Sequence, residues 1–150
     1  MSHERTFVML KPGVLQRRLV GEVVGRFERK GLNVIAMKLM YIDRTLAERH
    51  YQEHVDKPFF ASLVDYITSG PVIAMVWEGE SAISTVRTLA GATNPQNAAP
   101  GTIRGDLALV TQNNVVHASD SPESSAREMS LFFEDTEILP FVDGNAEWLG

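Results

Sequence analysis

The segment Val72–Trp77, with the sequence Val-Ile-Ala-Met-Val-Trp, is the most apolar stretch of the chain. It is short, and the turn-forming residues Ser69-Gly70-Pro71 end the segment before it. A short apolar run bounded by turn residues favours a central β-strand over a helix. The chain is therefore expected to build its core around a sheet.

Three further segments are predicted strands. Thr6–Leu10 is an apolar run that ends at Lys11-Pro12-Gly13, which places Lys11 at the carboxyl end of a strand. Leu32–Ile42 is dense in apolar and β-branched residues. Asn114–His117 reads as a short last strand.

Helical spacing and end signals predict five helices between and after these strands. The first helix has an apolar period from Leu19 and is capped by Gly31. The second follows a capping-box pattern of Thr45 with Glu48 and runs to about His54. The third is short and runs from about Pro58 through Ile67, and the fourth begins at Ser81 and ends at Gly91. Ser121-Pro122-Glu123 opens the fifth. Ala92–Gly105 has no regular period and is predicted to be a loop. The order βαβααβαβα predicts an α/β sandwich with helices covering one sheet.

Length and composition narrow the class of protein. The 150 residues are enough for one domain over 1–150. The net charge of −5 argues against a protein that depends on broad attraction to nucleic acid or anionic lipid. Because the chain lacks cysteine, disulfides, thiolate metal sites and thiol nucleophiles are excluded. Neither a signal peptide nor a membrane span can be drawn, so a cytoplasmic protein is expected.

The segment His50-Tyr51-Gln52-Glu53-His54 matches the zinc-peptidase pattern H-x-x-E-H. On one helix, this spacing would place two imidazoles a turn apart with a carboxylate beside them. The chain is small for such a peptidase, however, and no third ligand can be designated. Two histidines on a surface helix are the simpler interpretation.

Phosphate binding is the other chemistry that the sequence suggests. A Walker motif is absent, so other groups would have to hold a phosphate. Lys11, Arg87 and Arg104 lie in loops or at the ends of predicted elements, where cationic side chains can converge on one anion. Their spacing does not show that they converge, and each could equally be a solvated surface charge.

His117 is the candidate reactive centre. It follows an apolar strand and precedes the start of a helix, with Ser119, Asp120 and Ser121 beside it. A neutral imidazole is a good nucleophile toward phosphorus near pH 7. The alternative is a half-buried histidine that caps a turn, and the spacing does not decide between the two.

The residues around His117 resemble the active-site signature of the nucleoside diphosphate kinases. Asn114-Val-Val-His-Ala-Ser-Asp120 fits the family motif N-x-x-H-(G or A)-S-D. Four more blocks are similar to the same family in the same order: Glu4-Arg-Thr-Phe with Lys11-Pro12; Lys57-Pro-Phe-Phe60; Ser69-Gly-Pro with Ala74-Met-Val-Trp-Glu-Gly79; and Thr93-Asn-Pro through Pro100-Gly-Thr-Ile-Arg-Gly-Asp106. The similarity covers nearly the whole chain, and five blocks in register are highly specific together.

The resemblance implies a ferredoxin-like βαββαβ core with an antiparallel four-stranded sheet and covering helices. It also implies ping-pong transfer of a γ-phosphoryl group from a nucleoside triphosphate to a nucleoside diphosphate, through a phosphohistidine at His117. Glu128 would hold the other ring nitrogen, with Ser119 supporting that carboxylate. The residues that match the family's phosphate, sugar and base positions are Lys11, Tyr51, Phe59, Arg87, Thr93, Arg104 and Asn114. Stacking on Phe59 implies low discrimination among bases.

The resemblance also implies a metal ion and further copies of the chain. Mg²⁺ would arrive on the nucleotide, and Asp120 would reach it through water. Relatives assemble as hexamers or tetramers of a common dimer, so a homo-oligomer is expected, with no obligatory nucleic acid or membrane partner.

Two segments near the expected nucleotide depart from the family's usual sequence. Gly13-Val14-Leu15 stands where Asp-Gly-Val is usual, so the loop that carries Lys11 is expected to be less well fixed. Thr111-Gln112-Asn113 stands where Val-Gly-Arg is usual, which is expected to weaken the grip on the base. An active enzyme with altered efficiency is expected; the rival is a non-catalytic nucleotide or nucleic-acid binding module that keeps the fold and has lost turnover.

Overall fold

A four-stranded antiparallel sheet forms the centre of the computed structural model, which describes residues 3–150. Its strands pair in the order β2-β3-β1-β4. The strand bounds are β1 His3–Leu10, β2 Asn33–Met40, β3 Val72–Glu80 and β4 Val116–Ala118. The segment Val72–Trp77 lies in β3, between two neighbouring strands, so its predicted central position is confirmed. The strand order and the covering helices confirm the predicted ferredoxin-like fold.

Within residues 3–150, seven helices connect and cover the strands. Short 3₁₀ turns occupy residues 52–54, 95–97 and 135–137. The helices are α1 Val20–Lys30, α2 Arg44–His50, α3 Phe60–Ile67, α4 Ala82–Ala90, α5 Ile103–Leu107, α6 Pro122–Phe132 and α7 Ala146–Leu149. In the described part of the chain, no helix combines the length and apolar character that crossing a bilayer would require.

The starts of two helices differ from the sequence prediction. Helix α2 is capped by Asp43, whose Oδ1 accepts a 2.8 Å hydrogen bond from the Leu46 amide, so the Thr45 capping box was wrong. Ser81 has a left-handed backbone with φ of 49° and makes no side-chain cap. The Ile83 amide of α4 is instead bound by the carboxylate of Glu4, at 3.2 Å. A distant strand residue therefore satisfies an amide that a local cap usually serves.

The bounds of other elements also differ from the sequence prediction. Helix α2 ends at His50 rather than His54, and α3 begins at Phe60 rather than Pro58. The predicted loop 92–105 contains a 3₁₀ turn and the start of α5, which is capped by the Thr102 hydroxyl. The predicted cap of α6 is confirmed, because the Ser121 hydroxyl accepts from the Ser124 amide at 3.1 Å with Pro122 in the first turn.

Both faces of the sheet are buried. Alternate residues of β1 and β3 point to opposite faces, as the strand period of two requires. Val8, Leu10, Met75 and Trp77 join the cluster under α1 and α4, and the intervening residues of both strands join a second cluster with Val64 and Phe132. This double covering explains why Val72–Trp77 is continuously apolar.

Strand β4 positions His117, the candidate reactive residue, on the sheet. His117 lies in the middle of β4, opposite Met9 of β1. Val115, just before the strand, has φ of 76°, which is rare for a β-branched residue. Its carbonyl accepts a 2.9 Å hydrogen bond from the Lys11 amide, so the end of β1 and the start of β4 are held together.

Candidate active site

His117, Glu128 and Ser119 form a hydrogen-bonded chain between β4 and α6. The Nε2 atom of His117 lies 2.8 Å from Oε2 of Glu128, and the Ser119 hydroxyl donates to Oε1 of the same carboxylate at 2.6 Å. The Glu128 side chain is 7% exposed and that of His117 is 24% exposed. A buried acid thus holds the inner nitrogen of a ring that remains accessible from solvent.

The charge state of Glu128 determines which nitrogen of His117 carries the proton. Burial by itself would raise the pKa of the Glu128 carboxyl, but the hydrogen bond and charge of His117, and then the Ser119 hydroxyl, hold that pKa below its usual value. The carboxylate is therefore ionised at neutral pH and accepts the Nε2–H of His117. The Nδ1 lone pair is then available as a nucleophile.

Two arginines bracket His117 on the backbone of β4. The Arg87 guanidinium donates to the Ala118 carbonyl at 3.1 Å. Arg104 donates to the Val116 carbonyl at 2.6 Å and to the Gly91 carbonyl at 2.9 Å. Burial, followed by the charge of Arg87, lowers the pKa of Arg104 to about 10. The two guanidinium groups are therefore close enough to repel each other, and an anion between them would relieve the repulsion.

A lysine extends this cationic group. The Lys11 ammonium donates to Oδ1 of Asn114 at 2.7 Å, and the Asn114 amide donates to the Thr93 carbonyl at 2.9 Å. Burial, and after it the charge of Arg104, lowers the pKa of Lys11 to about 8. Lys11, Asn114, Thr93 and Arg104 therefore meet, as a shared phosphate site would require.

The remaining predicted residues are Tyr51, Phe59 and Asp120. The Tyr51 ring packs on the buried His50 ring with centroids 4.7 Å apart, and burial raises the pKa of its phenol to about 12. Phe59 is 46% exposed and contacts His54, with ring centroids 5.6 Å apart. Asp120 is exposed, two residues after the end of β4. A ring that is nearly half exposed is suited to stacking.

The loop that carries Lys11, which is expected from its unusual sequence to be less well fixed, is anchored by hydrogen bonds. The Tyr66 hydroxyl donates to the Pro12 carbonyl at 2.7 Å, and the Gly13 amide donates to the Gln16 side chain at 3.0 Å. Gly13 has φ of 98°, a conformation that glycine adopts without strain.

The second unusual segment is also hydrogen-bonded to the rest of the fold. Gln112 accepts a 2.7 Å hydrogen bond from the Ser62 hydroxyl on α3, the helix that begins just after Phe59. This contact links the loop before β4 to the helix behind the exposed aromatic ring.

The structure contradicts both interpretations of the H-x-x-E-H segment, the pair of zinc ligands and the two histidines on a surface helix. Helix α2 ends at His50, and His54 lies on the following 3₁₀ turn with its side chain 37% exposed. The His50 side chain is 1% exposed and faces away from solvent toward Glu128. The two imidazoles therefore do not share one helical face, and H-x-x-E-H does not form a metal site here.

His50 is the site residue that sequence reasoning missed. Its ring lies edge-to-face with that of His117, with centroids 4.8 Å apart. The candidate metal-ligating atoms of His50, His117 and Glu128 lie within 4.8 Å of one another. The H-x-x-E-H pattern singled out His50 in the sequence, but it paired His50 with His54 instead of with His117 and Glu128.

Comparison with known proteins identifies the family to which this fold and site belong. The nucleoside diphosphate kinase family model matches residues 4–138. Proteins named nucleoside diphosphate kinase from Archaeoglobus fulgidus and Treponema pallidum are 64% and 60% identical over 146 and 148 residues, covering 97% and 99% of both chains. A halophilic nucleoside diphosphate kinase from Halobacterium salinarum, solved with CDP, has a TM-score of 0.96 and 51% identity over 98% of each chain.

The fold, the imidazole–carboxylate pair and these matches together define a phosphotransferase. The chain belongs to the nucleoside diphosphate kinase family. The family resemblance of the five sequence blocks, and the enzyme class that it implied, are confirmed.

Proposed function

We propose that the chain moves a γ-phosphoryl group between nucleotides through a phosphohistidine at His117. The observation that supports this proposal is the 2.8 Å contact between Nε2 of His117 and the buried Glu128 carboxylate, which leaves Nδ1 of His117 free. The CDP bound to the Halobacterium salinarum relative supports a nucleoside diphosphate as a ligand of this fold.

In the first half-reaction, the Nδ1 lone pair of His117 attacks the γ-phosphorus of a nucleoside triphosphate. The bond from that phosphorus to the β–γ bridging oxygen breaks, and the nucleoside diphosphate leaves with the electron pair. The imidazole becomes more cationic as it attacks. Glu128, still ionised, stabilises that charge and retains the hydrogen bond from Nε2–H.

In the second half-reaction, a terminal oxygen of a different nucleoside diphosphate attacks the phosphorus on His117. The Nδ1–P bond breaks, its electrons return to the ring, and a new triphosphate leaves. Lys11, Arg87 and Arg104 would stabilise the charge on the transferring oxygens in both directions. Tyr51, Thr93 and Asn114 would bind phosphate and sugar.

Mg²⁺ is proposed to enter as part of the nucleotide substrate. The donor chemistry fits, because Asp120 offers one exposed carboxylate and Mg²⁺ usually keeps several waters while one or two carboxylates and phosphate oxygens hold it. Asp120 would hold the ion through water, and Ser119 remains committed to Glu128. The bound ion would neutralise charge on the phosphate oxygens.

The base would stack on the exposed ring of Phe59, and because every base offers such a face, low base specificity follows. We further propose that residues 1–150 form one domain, that the protein works in the cytoplasm, and that copies assemble as a hexamer or tetramer of dimers.

Phosphorylation by γ-labelled ATP with Mg²⁺ tests the proposal. Acid-labile, base-stable label is expected on the protein and is expected to disappear in His117→Ala. His3→Ala is the matched control, since His3 is exposed at the opposite end of β1 from Lys11, and should retain the label. Label persisting in His117→Ala would disprove the assignment, and nucleotide binding without transfer to dTDP would indicate a binding module instead.

A further inference from the structure

His50 is a buried polar ring that the proposed phosphoryl transfer leaves without a role. Its side chain is 1% exposed, and neither ring nitrogen has a hydrogen-bond partner among residues 3–150. A buried nitrogen without a partner costs free energy that a phenylalanine ring of similar shape would avoid. A functional demand on the imidazole would account for that cost.

The ring of His50 is held in one orientation by its neighbours. It ends α2 and lies edge-to-face with His117 and Phe132, at 4.8 Å and 5.4 Å between centroids. The Arg127 guanidinium binds the backbone carbonyls of Arg49 and His50, which fixes this end of the helix to α6.

One ring nitrogen of His50 lies close to the Glu128 carboxylate. Nδ1 of His50 lies 3.8 Å from Oε2 of Glu128, the same oxygen that accepts from His117. This separation exceeds a hydrogen bond, but an approach of less than about 1 Å would make one. A carboxylate oxygen has a second lone pair for such a donor.

The His50 ring is uncharged at neutral pH. Burial lowers its pKa to about 3; His117, Arg127 and Lys11 act in the same direction, and Glu128 opposes them. A neutral ring can donate one N–H to Glu128 without adding a positive charge that would compete with the imidazolium character of His117.

We propose that His50 is a positioning residue whose Nδ1–H donates to Oε2 of Glu128 and keeps that carboxylate aligned on His117 during phosphoryl transfer. The inference rests on the proposed phosphohistidine mechanism and adds a third donor to the carboxylate, after His117 and Ser119. His50 acts on the reacting nitrogen only through Glu128 and through ring contact.

A metal ion bound by His50, His117 and Glu128 is the competing explanation for the same cluster. An ion there would have to replace the 2.8 Å hydrogen bond between His117 and Glu128. Since the proposed chemistry depends on that bond, the hydrogen-bond role is favoured.

Three substitutions distinguish the effect of the His50 ring from the effect of its nitrogens. His50→Phe keeps the ring and removes both nitrogens, whereas His50→Asn places an amide N–H close to the position of Nδ1, and His50→Gln places one close to Nε2. We expect the single-turnover rate of His117 phosphorylation to fall about tenfold in His50→Phe and His50→Gln, with nucleotide KM changed less than about twofold. His50→Asn should recover most of the rate.

The pH profile gives a second readout, which a purely structural role would not move. Loss of a donor makes the Glu128 carboxylate easier to protonate, so the acid limb of the phosphorylation rate should move to higher pH in His50→Phe but not in His50→Asn. Circular dichroism and thermal melting would establish that each variant is folded.

Several outcomes would overturn the inference. They are a wild-type rate in His50→Phe, equal losses in folded His50→Asn and His50→Phe, or stoichiometric binding of added Zn²⁺ by the wild-type protein that His50→Asn abolishes. Failure of the wild-type protein to label at all would instead reject the phosphohistidine mechanism, so the two failures are distinguishable.

Discussion

Lys11 and Asn114 are joined by a 2.7 Å hydrogen bond from Nζ to Oδ1, although 103 positions separate them in the chain. The acceptor is a neutral amide oxygen, so it orients the ammonium without neutralising it. Because the charge of Arg104 also acts on this ammonium, positive charge is concentrated beside β4. A bound phosphate would stabilise these cations.

Lys11→Met should lower phosphoryl transfer about 100-fold, since it removes one of three cations that act on the transferring oxygens. The same change should stabilise the nucleotide-free protein. The pKa of Lys11 is about 8 in the folded protein, against an ordinary value of 10.5, so the unfolded chain binds more protons between these pH values. Wild-type stability therefore rises with pH across that window, and the lysine is unfavourable below it.

Urea unfolding of the Lys11→Met protein at pH 7 and pH 9.5 checks the sign. At pH 7 the variant should be more stable than wild type by about 1–2 kcal/mol, after the lost Asn114 hydrogen bond is subtracted, and the difference should shrink at pH 9.5. Lys30→Met, on the exposed end of α1, is the control and should retain transfer. A pH-independent difference would contradict the account.

Glu128→Gln should reduce the rate of His117 phosphorylation by about 10- to 100-fold, because a neutral amide cannot stabilise the ring as it gains positive charge. Stopped-flow single turnovers with ATP measure this rate. Glu123→Gln, exposed in the first turn of α6, is the matched control and should leave the rate unchanged. Equal rates in the wild-type and Glu128→Gln proteins would rule out the proposed role of the carboxylate.

The same substitution should flatten the acid limb of the stability profile. The folded-state pKa of Glu128 is lowered, so its contribution to stability is present above the unfolded value and is lost as pH falls through the folded value. Between about pH 5 and pH 3 the wild-type protein should therefore lose more stability than Glu128→Gln.

Phe59→Ala should weaken nucleotide binding about tenfold while changing the folded stability little, because the ring is 46% exposed and base stacking contributes about 1–3 kcal/mol. Calorimetric titration with ADP and with CDP should give similar losses for both bases. Phe59→Trp should preserve binding. A loss confined to one base would show that Phe59 contributes specific recognition rather than stacking.

Asp43→Ala should destabilise the protein by about 1 kcal/mol through loss of the α2 cap, whereas Thr45→Ala should stay within about 0.5 kcal/mol of wild type. Denaturant midpoints compare the two variants directly. The reverse order of effects would restore the Thr45 capping box that the sequence suggested.

Several parts of the fold were readable from the sequence because they depend on nearby residues. Gly31 adopts φ of 111° at the end of α1, and Ser121 with Pro122 starts α6, as their local patterns predicted. The apolar segment Val72–Trp77 is central in the sheet. Caps and apolar runs involve interactions within a few positions, so their signals survive without any tertiary information.

The sequence blocks around Asn114–Asp120 also identified the family before any geometry was available. By contrast, spacing alone could not distinguish clustered cations from separate surface charges. Lys11, Arg87 and Arg104 meet because β1, α4 and α5 pack around one end of β4, and that packing joins residues from opposite ends of the chain.

The sequence by itself determined the family, the presence of the four strands and of five helices, and the identity of the reactive histidine candidate, because these depend on local pattern and on blocks of adjacent residues. Only the tertiary structure decided that Glu4 caps α4 and that His50 belongs with Glu128 rather than with His54. The physical reason is that periodicity reports which face a side chain occupies, whereas its partner depends on how whole elements pack against one another.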